Sequence, residues 1–181
     1  MNLIKEINLL TNKKMIVWLN FLSVLLLIVF AILAWRVSVR FTPTVSFDRD
    51  ELYYIIQCFV MFILLILIHE FIHGFFFKVF SPKNKVKYGF KNMMFYATSP
   101  KSFYSKRKFY CISLAPFIFV TIGLTLLFLF GVIPSTFYIF LVSFHGAGCT
   151  GDFYWAWVLF KSSKDTIIED TEVGINLYTN V

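Results

Sequence analysis

Four apolar stretches, each longer than the ~20 residues a helix needs to cross the hydrocarbon core, dominate this chain: Met15 to Trp35, Leu52 to Phe77, Phe109 to Val132 and Thr136 to Phe160. Lipid forces such stretches into helices, because a helix satisfies its backbone polar groups internally where no water is at hand. The first and third carry no ionisable side chain beyond a tyrosine and a cysteine. The first is too long for a signal-peptide core and lacks a small-x-small cleavage site before Arg36, so it is expected to be retained. With 59% of 181 residues apolar, little remains for a soluble domain. The expected fold is all-α and integral to a membrane: four transmembrane helices in one embedded domain over residues 1–181, with residues 161–181 as a cytoplasmic tail.

The Lys and Arg residues set the expected orientation, since cytoplasmic loops are enriched in both. Lys5, Lys13 and Lys14 precede the first span, nine more lie from Lys78 to Lys108, and Lys161 and Lys164 follow the fourth. Only Arg36, Arg40 and Arg49 fall on the other side, so both termini and the long middle loop are assigned to the cytoplasm. The net charge of +7 then follows from topology. A nucleic-acid partner is excluded, because no basic helix with interleaved aromatics and no nucleic-acid motif is present. The lipid bilayer is the expected partner of the basic loop.

Outside the spans the pattern is weaker. Residues 1–14 carry Leu3, Ile4, Ile7, Leu9 and Leu10 among polar neighbours, which suits a short amphipathic helix in the interface. The loop from Arg36 to Glu51, with Pro43 and an Arg-Asp-Glu run, is too short for a domain. In the middle loop, Val86 to Phe90 and Met93 to Ala97 flank Lys91 and Asn92, and a short β-hairpin is expected there. The tail shows no periodic apolar face. Cys58, Cys111 and Cys149 are too scattered for a disulfide framework and read as packing residues.

The chemistry lies where ionisable groups are most costly. Of ten acidic residues and three histidines, five fall inside the spans: His69, Glu70 and His73 in the second, His145 and Asp152 in the fourth. A charge near the bilayer centre costs at least ~2.5–3.5 kcal/mol, so such residues pair, ligate or line a water-filled cavity. The stretch HEFIH, His69 to His73, is an H-E-x-x-H pattern on a helix. Residues four apart share a face, so both imidazoles reach one Zn²⁺ while Glu70 projects beside its open position.

Catalytic zinc takes a third protein ligand. His69 precedes Lys78 by nine residues and Asp152 precedes Lys161 by nine, so the two are expected at one depth, ~13 Å from the ends of their helices. On a straight helix His145 lies ~10 Å further away, which leaves Asp152 as the ligand. An interhelical hydrogen bond is the competing role for Asp152. Gly146, Gly148 and Gly151 offer a place for the helix to break, and a break brings His145 toward the metal. For His145 a hydrogen bond behind a ligand, a donor to the oxyanion and a packing role all stay open.

These parts compose a hydrolytic site in which Glu70 draws the proton from a zinc-bound water and passes it to the leaving amine. Pro116, inside the third span, is expected to kink that helix and help open a cleft. A membrane protein or peptide is the expected substrate, unwound and held extended against the hairpin. The rivals are a metal-binding membrane protein without catalysis, serving transport or sensing, and a structural bundle serving immunity or assembly.

HEFIHG in one span and an aspartate within GCTGDF in a later one resemble the site-2-protease type of intramembrane metallopeptidase, and more closely the small bacterial membrane zincin peptidases. The likeness runs from about Tyr54 to Phe160 and includes LAPF at Leu114 to Phe117. It implies a zinc-dependent intramembrane endopeptidase of a bacterial cell membrane, with His69, His73 and Asp152 matching the zinc ligands and Glu70 the catalytic glutamate. Site-2 proteases usually place Asn-Pro-Asp-Gly or Leu-Asp-Gly around the third ligand. Here Thr150, Gly151 and Phe153 surround Asp152, so the likeness speaks to metal binding and not to substrate.

Overall fold

The computed structural model describes residues 1–8, 12–41, 51–91, 94–171 and 174–179. In chain order these form β1 (Asn2–Asn8), α1 (Lys13–Phe41), α2 (Glu51–Phe80), β2 (Lys87–Lys91), β3 (Met94–Thr98), β4 (Phe103–Ser105), α3 (Lys106–Leu129), α4 (Ser135–Gly148), α5 (Thr150–Lys161), β5 (Thr166–Thr171) and β6 (Gly174–Thr179). Pro43 and Arg49 of the expected external loop, Leu9 and Leu10 of the N-terminal stretch, and Asn92 and Met93 of the expected hairpin lie outside the described residues.

Three helices, α1, α2 and α3, are long and apolar enough to cross a membrane. In the most apolar stretch of α1 nothing is buried by protein, against 39% in α3, so α1 offers itself to lipid and α3 is the central helix. The fourth apolar segment departs from the expected single helix. It folds as α4 and α5, which meet at Cys149. Their 14 and 12 residues are ~21 and ~18 Å long, each short of a ~30 Å hydrocarbon core that the two together exceed.

The break is chemically closed. The Ala147 carbonyl accepts hydrogen bonds from the Thr150 hydroxyl (2.6 Å) and from the Ser23 hydroxyl of α1 (3.0 Å). Buried backbone freed from a helix ladder needs such replacements where water is scarce. Glycine at 146 lets α1 approach, since a Cβ there would stand 2.3 Å from the Phe30 ring. At the far end of α3, Gly131 takes a positive φ of 71°, and the N–H groups of Gly131 and Val132 bond back to Phe128 and Leu127 (both 2.9 Å). That Schellman closure turns the chain into α4.

The hairpin is present as antiparallel β2–β3, with Tyr88 opposite Ala97. The N-terminal stretch and the tail correct the expectation. Residues 2–8 form a strand, and residues 166–171 and 174–179 form two more, in a four-stranded antiparallel sheet ordered β1-β6-β5-β4. The cause is non-local pairing: β1 finds its partner in β6 at the other end of the chain, with Ile7 opposite Ile175. Ile7, Tyr104, Ile168, Ile175 and Leu177 point from the sheet onto Phe77 of α2, Phe109 and Ile112 of α3 and Leu159 of α5. A second apolar cluster joins α1, α2, α3 and α4 through Ala34, Leu65, Val120, Leu124 and Leu141. The acidic and imidazole groups lie between the two, as the series Leu65, His69, His73, Phe77 along α2 shows.

Candidate metal centre

Three of the expected residues converge. His69 Nε2 lies 3.3 Å from Asp152 Oδ2, His73 Nε2 lies 3.2 Å from Asp152 Oδ1, and the two Nε2 atoms are 3.1 Å apart. His69 and His73 sit on one face of α2 by their four-residue spacing, and Asp152 sits in the first turn of α5. Asp152 reaches them because the chain restarts a helix immediately after Cys149, where the Phe153 N–H bonds to the Cys149 carbonyl (3.0 Å).

The arrangement suits a cation. His73 Nδ1–H donates to the Ile112 carbonyl of α3 (2.9 Å), so in the neutral imidazole His73 Nε2 presents a lone pair. Ile112 is free to accept because the residue four positions on, which would normally claim its carbonyl, is Pro116 and has no N–H. On His69, Nδ1 faces His145 Nε2 at 3.1 Å, and with its proton there the His69 Nε2 is likewise a lone pair. Two lone pairs and a carboxylate within 3.3 Å of one another repel unless positive charge lies between them. Ligands of a tetrahedral zinc at bonds of about 2.0–2.2 Å are spaced about 3.3–3.6 Å apart, near the separations seen. The donor set therefore fits zinc.

Glu70 turns to the neighbouring space. It lines a cavity of about 470 Å³ between α2 and the hairpin, with Leu67 and Phe71 on the helix side and Tyr88, Phe90 and Phe95 on the other. The Ala97 backbone N–H of β3 is a hydrogen-bond partner of Glu70, and His69, His73 and Asp152 all act on its charge. Gly74 brings the hairpin close: a Cβ there would stand 1.8 Å from the Tyr88 hydroxyl. At the same end of β3, just past Ala97, Asp170 of β5 accepts from Thr98 Oγ1 (2.5 Å) and from the Ser99 N–H (3.2 Å). Burial raises the Asp170 carboxyl to about 7, against the lowering effect of those two bonds.

His145 is buried and its Nε2 stands 3.1 Å from His69 Nδ1, beside the cluster and not at the distance expected of it. Its Nδ1 has no hydrogen-bond partner among the described residues. Two participants escaped the sequence reading. Pro116 was legible as a kink and not as the release of Ile112. Cys149 stands 3.8 Å from His69 Nδ1 and 3.7 Å from His145 Nε2, although its position four residues after His145 was a signal in plain sight. Of the other cysteines, Cys111 is exposed and does not pack inside the protein.

Residues 62–167 match the model of the family described as "Putative zincin peptidase". The chain belongs to this family. The matched span holds His69, Glu70, His73, Pro116, His145, Cys149 and Asp152, on both sides of the helix break. Comparison with curated proteins and with solved structures returns no match.

Proposed function

We propose that this zincin peptidase hydrolyses a peptide bond in or near a membrane segment of its substrate, with His69, His73 and Asp152 as zinc ligands and Glu70 as general base and acid. The convergence of two imidazole lone pairs and a carboxylate beside a cavity lined by Glu70 carries the reading. A zinc ion held there supplies a Lewis acid that polarises the scissile carbonyl and acidifies a water. Glu70 takes one proton from the attacking water, whose oxygen bonds to the carbonyl carbon, and delivers a proton to the departing amine nitrogen as the C–N bond breaks. The Ala97 N–H steadies Glu70, the Ile112 carbonyl aims His73, and His145 aims His69.

In this reading α4 and α5 cross the bilayer together as a fourth span. The sheet, with β1 and β6 in it, and the hairpin lie at one end of the helices, the end that also carries most of the basic residues, and this end is cytoplasmic. A bacterial cell membrane is the proposed location. A helical substrate must unwind first, and the two-stranded hairpin offers an unpaired edge along which an extended segment can lie beside Glu70.

The test compares membrane proteomes of cells carrying the native chain or Glu70→Gln. Fragments with new termini in or beside a membrane segment should appear only with the native chain, while the variant keeps its zinc. Identical proteomes under conditions where both proteins hold zinc would reject peptidase action.

A further inference from the structure

The geometry points to a second cation site, made of His69 Nδ1, His145 Nε2 and Cys149 Sγ and suited to a thiophilic divalent ion, with the His69 imidazole shared between the two sites. The nitrogens are 3.1 Å apart, and the sulfur stands 3.8 and 3.7 Å from them. Ligands of one tetrahedral zinc are spaced about 3.3–3.4 Å nitrogen to nitrogen and about 3.6 Å nitrogen to sulfur, given bonds of about 2.0–2.1 and 2.3 Å. The thiol is almost equidistant from both ring nitrogens and within hydrogen-bond reach of each, so the three donor atoms face one another as ligands of one ion would.

Backbone structure puts the thiol there. Cys149 is the junction residue of α4 and α5, is fully buried, and its N–H bonds to the His145 carbonyl (3.0 Å). His145 and Cys149 thus repeat on α4 the four-residue spacing that His69 and His73 have on α2.

Charge balance suits the depth. A divalent ion entering here displaces two protons, one from Cys149 Sγ and one from His69 Nδ1. The resulting thiolate and bridging imidazolate carry two negative charges against the two positive charges of the ion, so no net charge is added where charge is costly. Sulfur and imidazole select zinc in excess or cadmium and discriminate against magnesium and calcium.

The test is cobalt(II) titration of the full chain in detergent, carrying Glu70→Gln to silence proteolysis. Two equivalents should bind, with a near-ultraviolet sulfur-to-cobalt charge-transfer band accompanying one of them. Adding Cys149→Ser should abolish the band and leave one equivalent, and Cys149→Ala should do the same. Asp152→Asn should lose the other equivalent and keep the band, so failure of the first site is read separately from failure of the second. A band that survives both Cys149 variants, which retain Cys58 and Cys111, would overturn the proposal. So would a single equivalent without a band in the Cys149-containing protein.

Discussion

Helix α2 and the α4–α5 pair bring side chains to the same centre by opposite means. Along α2 an unbroken helix repeats its face every four residues, so His69 and His73 are placed by backbone geometry alone. Across α4 and α5, His145 and Asp152 are seven residues apart on either side of the interruption at Cys149, and they meet the two nitrogens of the same imidazole. The first arrangement is robust and readable. The second gains reach, and needs hydroxyls from Ser23 and Thr150 to cover the carbonyl that the break exposes.

The largest expected effect tests whether both means converge on one ion. Asp152→Ala removes the contribution of α5 and should abolish both zinc retention between His69 and His73 and cleavage, whereas Glu70→Gln should keep zinc and lower kcat by ~10²–10⁴, the usual worth of a positioned proton-transfer group. Metal analysis alongside turnover separates the two.

Next come the residues that aim the imidazoles. His145→Phe should weaken zinc affinity ~10–100-fold by leaving His69 Nδ1 without its partner. Pro116→Ala should weaken it over the same range for a different reason, since the new N–H at 116 claims the Ile112 carbonyl from His73. The proline variant should also melt at a higher temperature, because interior proline costs a helix ~3 kcal/mol. Gain of stability with loss of metal is a split that general damage to the fold does not produce.

A smaller effect concerns packing at the break. Gly146→Leu forces a side chain into Phe30 of α1 and should cost ~1–3 kcal/mol, measured as a lower Tm in detergent.

The smallest is electrostatic and lies at the sheet. Because the folded-state carboxyl of Asp170 is raised to about 7, above its ordinary value of 3.8, the native state holds a proton there that the unfolded state gives up. Its contribution to stability is full below pH ~4 and is lost as pH rises through ~7. Asp170→Asn should flatten that part of the profile, as read from Tm between pH 4 and 8. His73 and Glu70 act on the same carboxyl with opposite signs, so a profile that keeps its slope in the variant would assign the dependence to them.

How much of this was legible follows from the same contrast. Hydropathy marks the three long helices and HEFIH, because both are local and periodic. Val86 to Ala97 shows its hairpin for the same reason. The break at Cys149 was visible only as an option opened by Gly146, Gly148 and Gly151, since glycines permit a break without demanding one. The sheet was not visible. Ile175 and Leu177 alternate with Asn176 and Tyr178 for only one turn of the pleat, and β1 earns its strand from a partner more than 160 residues away. A proline's missing N–H at 116 becomes meaningful only when His73 is seen to fill the vacancy at Ile112.

Zinc-edge X-ray absorption on the full chain loaded with one equivalent addresses the central claim most directly. The account predicts a first shell of two imidazole nitrogens at about 2.0–2.1 Å with oxygen ligands completing it and no sulfur, and loss of that shell in Asp152→Ala. A first shell lacking two imidazoles, or one unchanged by Asp152→Ala, would contradict it.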